Sequence, residues 1–181
     1  MILTEEKYEL NGKEILLRSA NPEDAGMLID YLKTVTRETG FLMTYPDEVK
    51  YTIDEEVKFI NRYNEAENCL LMLAFVDGDY AGNCSFEVRT GSRRVKHRAE
   101  IGIALFQKYA GFGLGRLMLE VLLKKMKEQG LEQAELAVAD GNDRAYRLYE
   151  SLGFRKCGRI PGAYKYDDGT CSDEIIMVKS L

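Results

Sequence analysis

The sequence predicts an α/β protein of the α+β type: one domain over residues 1–181, with a mixed sheet of about seven strands covered by about four helices. Three observations predict it. The chain is long enough for one substantial core. Strand-like runs dominate its middle, and helical stripes separate its later strands. No repeat, low-complexity segment or linker divides it.

The elements follow in order. "EILLRSA" reads as a first strand. "NPEDAGMLIDYLKTVTRETG" is a helix, with Asn21 as N-cap, Pro22 at the first helical position and Gly40 near its end. After the aromatic loop "FLMTYPDEVKY", Thr52 and Glu55 form a capping box that opens a second helix, "TIDEEVKFINRYNEAEN". "CLLMLAFV" and "YAGNCSFEV" are strands joined by "DGD", a strong hairpin signal, and "RAEIGIALF" is another strand. A stripe of Leu114, Leu117, Met118, Val121, Leu122 and Met126 marks the third helix, closed by Gly130. Then come the strand "AELAVA", the short helix "NDRAYRLYESLG", the strand "FRKCGRIPGAYKY", a "DDGT" turn and the strand "DEIIMVKSL".

Composition narrows the class. Apolar residues make up 45% of the chain and charged residues 30%, the balance of a soluble globular protein. The opening "MILTEEKYELNGKE" has no apolar core behind a basic head, so no signal peptide is expected, and no apolar run approaches a membrane span. Cys69, Cys84, Cys157 and Cys171 are scattered, with no CxxC pair and one histidine in the chain. That argues against a zinc site and suits a reducing, cytoplasmic compartment. Residues 1–68 carry 15 acidic and 8 basic side chains, and residues 69–181 carry 15 and 17. An acidic front beside a slightly basic rear suits a cationic partner at one end and an anionic one at the other, or two solvated surfaces. The basic segment "RRVKHR", which holds His97, is thin support for nucleic-acid binding on a net acidic chain.

"QKYAGFGLGR" places three alternate glycines, Gly111, Gly113 and Gly115, between a strand and a helix. A P-loop fails because Arg116 and Leu117, not Lys-Ser/Thr, follow the last glycine. A dinucleotide fingerprint fails because the spacing is GxGxG. A tight structural turn and an anion site remain. A strand–turn–helix context leaves unpaired N–H groups at a helix start, and without β-carbons a phosphate can approach them. Lys108 and Arg116 flank the turn with positive charge.

"IGIALFQKYAGFGLGRLMLEVLL" resembles the acyl-CoA-binding motif (Q/R)xxGxG(G/A) of the GNAT acyltransferase superfamily, with Gly113 and Gly115 at its small positions and Ala110 where Gln or Arg is usual. "NDRAYRLYESLGF" is similar to a second family pattern, N-x-x-A-x-x-L-Y-x-x-x-G-F, at Asn142, Ala145, Leu148, Tyr149, Gly153 and Phe154. The resemblance covers nearly the whole chain. It implies a mostly antiparallel sheet whose central strands splay, and acetyl-CoA as co-substrate without a metal.

The site residues follow from that resemblance. Lys108, Gly111, Phe112, Gly113, Leu114, Gly115 and Arg116 would hold the pyrophosphate, with Arg116 or Lys108 standing in for the contact that Ala110 lacks. Ile103 and Leu105 would offer main-chain contacts to the pantetheine arm, and Asn142 a further one while capping its helix. Tyr149 would protonate the departing thiolate, a role suited to a phenol protonated at neutral pH. The Ala145–Leu148–Tyr149–Leu152 stripe equally describes a core tyrosine. Glu100 shares a strand face with Gly102 and Ala104 and is the candidate base, or else a salt-bridged glutamate beside Arg98. Tyr45, Tyr51, Tyr164, Tyr166, Asp173 and Glu174 would line an acceptor pocket.

The reading is an N-acetyltransferase moving acetyl directly to a small-molecule amine or a protein N-terminus. No nucleic acid and no membrane are expected as partners. Homodimers are frequent in the superfamily. A non-catalytic acyl-CoA-binding module of the same fold is the alternative.

Overall fold

The computed structural model describes all residues, Met1–Leu181. Eight strands form one sheet in the order β1-β2-β3-β4-β5-β6-β8-β7. The pairings β1–β2, β2–β3, β3–β4, β6–β8 and β7–β8 are antiparallel, and β5–β6 is parallel. Four α-helices accompany them. The chain divides into two compact units, Met1–Glu87 with Gly102–Leu122, and Val88–Ile101 with Leu123–Leu181.

The first unit opens with a strand that the sequence reading lacks. Strands β1 (Glu6–Leu10) and β2 (Lys13–Ser19) form a hairpin around Asn11 and Gly12, both with positive φ (53° and 76°). Asn-Gly is the preferred pair for such a two-residue turn. Strand β1 carries no sequence signal because "EKYEL" is polar, and no side chain of this edge strand is buried.

Pro22–Asp24 forms a 3-10 turn before α1 (Ala25–Glu38), so Asn21 caps that turn rather than the α-helix. Its amide donates to Asp24 (2.7 Å), whose carboxylate also receives both Arg18 guanidinium nitrogens. Helix α2 (Ile53–Glu65) starts with the expected box, Thr52 N–H to Glu55 at 2.8 Å and Glu55 N–H to Thr52 Oγ1 at 3.3 Å.

Strand β3 (Cys69–Val76) is buried along its whole length. Leu71, Leu73 and Phe75 join Leu28 of α1 and Ile60 and Tyr63 of α2 in one apolar cluster. The alternate residue Met72 pairs with Cys84 of β4 (Asp79–Val88), and the Cys84 thiol lies 4.0 Å from the Met118 carbonyl of α3 (Leu114–Glu128). Pleat alternation therefore hands opposite faces of β3 to different helices.

Strand β4 is bulged. Ala74 pairs with Gly82 and Phe75 with Tyr80, which leaves Ala81 as the extra residue. The Ala81 carbonyl accepts the Phe106 amide (3.0 Å). A β-carbon on Gly82 would lie 2.7 Å from the Leu105 Cα and closer still to the Ala104 carbonyl, so only glycine admits this approach.

The second unit holds the first half of β5 (Arg98–Leu105), then β6 (Gln133–Ala139), α4 (Asp143–Ser151), β7 (Arg155–Lys165) and β8 (Cys171–Ser180). The parallel ladder runs only from Arg98↔Gln133 to Glu100↔Glu135, although both strands continue to Leu105 and Ala139. Ala134, Leu136, Val138, Ile175, Met177 and Phe154 are buried. Edge strand β7 is almost wholly exposed, with two register irregularities and Pro161 within it. These features discourage edge-to-edge pairing.

Candidate active site

In the first unit, β5 leads through the 3-10 turn Gln107–Tyr109 into the glycines. Gly111 and Gly113 adopt φ of 100° and 104°. The Leu117 amide bonds to the Gly113 carbonyl (3.1 Å), which makes Gly113 the residue that caps α3. The Gly113, Leu114 and Gly115 amides are then donors at the helix start with no intrahelical acceptor. Leu114 is fully buried and seats the first turn of the helix in the core. For Gly113 the constraint is conformation, since an added β-carbon would meet only Leu10 methyls at ordinary contact distance (3.6 and 3.7 Å).

The flanking cations are differently placed. Arg116 points along α3 to Glu120 (3.4 Å). The Lys108 ammonium sits 4.7 Å from the Tyr109 ring centre. Ile103 and Leu105 are half-buried, on the part of β5 beyond its ladder with β6. The turn is also held from outside. Asn11 Nδ2 donates to the Phe112 carbonyl (2.8 Å), and the Glu38 carboxylate accepts the Gln107 amide (2.7 Å). Neither partner was legible locally, since 101 and 69 residues separate them from their targets. The Asn11-Gly12 pair itself was a usable signal.

In the second unit, Asn142 Oδ1 accepts the Ala145 amide (3.3 Å) and caps α4. Tyr149 is the one buried residue of that helix. Its ring meets Phe154 edge-on at 5.9 Å, and its carbonyl accepts the Phe154 amide (3.0 Å) across Gly153, whose φ is 90°. The Gly-Phe ending of the motif is thus a helix stop that tucks an aromatic against the tyrosine.

Glu100 is exposed and pairs with Arg89 (3.1 Å), not with its sequence neighbour Arg98. Arg98 instead pairs with Glu135, a carboxylate 8% exposed that Arg89 and Gln133 also reach. The Arg98 hydrogen bond outweighs burial and holds the Glu135 carboxyl below the usual glutamate range. Glu135 had no sequence signal, because a glutamate in "AELAVA" reads as an outward-facing residue of a half-buried strand.

Of the acceptor-pocket candidates, Tyr45 and Tyr51 lie in the first unit and the others in the second. Asp173 is committed elsewhere: Arg159 bridges it to Asp140, and the Gly162 amide donates to it (2.8 Å). Those bonds, the Gly162 amide first, keep its carboxyl below the ordinary range. Tyr164 donates to Glu174 (2.6 Å), and burial followed by that carboxylate pushes the phenol up.

Residues 32–154 match the family model described as Acetyltransferase (GNAT) family. The chain belongs to that family. As a member of it, this GNAT protein is an acyltransferase. It is 26% identical over 178 residues to an N-alpha-acetyltransferase of Sulfurisphaera tokodaii, covering 94% of this chain and 95% of that protein. Among solved structures it is similar to a GNAT-family acetyltransferase from Streptococcus pneumoniae (TM-score 0.86, 29% identity, 92% of this chain and 99% of that one). A putative acetyltransferase from Salmonella typhimurium, solved with its cofactor acetyl-CoA, shares the fold at TM-score 0.80 and 18% identity over 92% of this chain and 94% of that one.

Proposed function

We propose that the protein is an acetyl-CoA-dependent N-acetyltransferase, one catalytic domain over residues 1–181, that acetylates the α-amino group of a protein N-terminus. The observation that carries it is the turn at Gly111–Gly115, where positive φ at Gly111 and Gly113 precedes a run of helix-start amides. Such a run suits a pyrophosphate. The N-alpha-acetyltransferase relative, alike over nearly full length, supports the α-amino acceptor.

The Gly113, Leu114 and Gly115 amides bind the phosphates, with Lys108 and Arg116 adding positive charge. Ile103 and Leu105 offer main-chain groups to the pantetheine arm, and Asn142 offers a polar one. Bound acetyl-CoA supplies an activated thioester. Glu100, held by Arg89, takes a proton from the acceptor ammonium through water. The freed amine forms the new N–C bond as the C–S bond breaks, Tyr149 gives its phenolic proton to the departing sulfur, and the second proton shed by the acylated nitrogen returns through water to the Tyr149 phenolate. General acid and base steps of this kind contribute about 10²–10⁴-fold each. The free thiols fit a cytoplasmic enzyme.

The test is an acceptor screen with acetyl-CoA and purified protein. Peptides with a free α-amino group should be acetylated there, and the same peptides with a blocked N-terminus but a free lysine should not. Turnover of polyamines or amino sugars alone would move the acceptor to small amines. No acetyl transfer to any amine by a folded protein that binds CoA would favour the module reading.

A further inference from the structure

The glycine turn lacks a polar side chain of its own at Ala110, and glycines with positive φ flank its central peptide. Such a peptide has little intrinsic reason to keep one orientation. The structure gives it an external one. Asn11, at the tip of the β1–β2 hairpin, donates from Nδ2 to the Phe112 carbonyl at 2.8 Å. Beside it, Leu10 of the same hairpin lies against Gly113. Both contacts fall within the first unit.

Peptide planarity gives this contact its consequence. In a trans peptide the carbonyl of residue 112 and the N–H of residue 113 point in opposite directions. Holding the Phe112 oxygen toward the hairpin therefore turns the Gly113 N–H away from it. A flip of this one peptide would exchange the two and present an oxygen where an anion needs a donor. The hairpin tip is suited to the task, because a two-residue turn with both residues at positive φ is rigid and admits asparagine at its first position. Glu38, accepting the Gln107 amide, steadies the entry to the same turn.

We propose that Asn11 is a positioning residue for the phosphate-binding turn, holding the Phe112–Gly113 peptide in its anion-binding orientation and so setting the affinity for CoA. This rests on the reading of the turn given under Proposed function. It adds a residue from the first hairpin, outside both sequence motifs.

The experiment compares CoA binding by calorimetry, and acetyl-CoA kinetics, for the parent and three variants. Asn11→Gly keeps the turn conformation and deletes only the donor. Asn11→Asp keeps the shape and sets a carboxylate against the carbonyl. Lys7→Ala alters an exposed ion pair on the same hairpin and is the control. Asn11→Gly should weaken CoA about fivefold, the effect of one lost hydrogen bond, with the acetyl-CoA KM rising equally and kcat unchanged at saturation. Asn11→Asp should weaken it further, and Lys7→Ala should match the parent. Thermal midpoints of the Asn11→Gly and parent proteins should coincide.

Binding by both Asn11 variants within about twofold of the parent would overturn the proposal. So would losses that simply track a fallen melting temperature, or a fall in kcat in place of a rise in KM. A parent protein that binds no CoA would remove the functional reading as well, whereas a binding parent with indifferent variants would remove this inference alone.

Discussion

The two compact units handle polar groups in opposite ways. Around the glycine turn of the first unit the working groups belong to the main chain, and they are set by glycine conformation and by single side-chain bonds from Asn11 and Glu38. In the second unit the prominent groups are ionised side chains in two networks, Arg89–Glu100 with Arg98–Glu135, and Asp140–Arg159–Asp173. A main-chain donor array fails when the backbone turns. A carboxylate array fails when its counter-ions leave or its charge is lost. The first is thus sensitive to a single methyl group, the second to charge and pH.

The largest expected effect tests the backbone side. Gly82→Ala would drive a β-carbon into the Ala104 carbonyl and Leu105 Cα. Overpacking against backbone should cost about 3 kcal/mol of stability in urea melts and disturb the strand bearing Ile103 and Leu105. A change under about 1 kcal/mol would show that the β4 bulge yields easily.

Next comes chemistry without binding. Tyr149→Phe keeps the ring packed on Phe154 and should lower kcat about 100-fold with CoA affinity unchanged. An unchanged kcat would return Tyr149 to a purely structural role.

Glu135 probes the ionic side. Glu135→Gln should destabilise by about 1–2 kcal/mol at neutral pH, since Arg98 and Arg89 are part-exposed and regain water. Its carboxyl is held below its usual 4.5 when folded. Its contribution is therefore complete above that value and is lost as pH falls through the lower folded value. Melting temperatures of parent and variant should converge as pH falls well below 4.5. A gap that persists there would mean that packing, not charge, carries the effect.

The smallest effect returns to the first unit. The Tyr31 hydroxyl is buried without a hydrogen-bond partner, its ring edge-on to Tyr80 and Phe106. Burial pushes that phenol well up. Tyr31→Phe should leave stability unchanged or raise it by up to about 1 kcal/mol, and a clear loss in denaturant titration would reveal a bound water at the hydroxyl.

Much of this molecule was legible in short windows of sequence. The Thr52–Glu55 box, the Asn142 cap, the Asp77-Gly78 hairpin and the apolar run of β3 depend on residues a few positions apart, and all are present. The buried face of α3 is wider than its sequence stripe, because Leu119 and Leu123 are buried as well. The strand count fell one short at β1, where a polar edge strand carries no apolar alternation.

Partner choice was not legible. Charge and spacing alone did not pair Glu100 with Arg89 over Arg98, commit Asp173 to Arg159 and the Gly162 amide, or bring Asn11 to Phe112. Local sequence specifies caps, turns and periodicity because the atoms involved are covalent neighbours. Which of several equivalent donors meets a given acceptor depends on strand register and on where distant elements cross, and those are settled only when the whole chain packs.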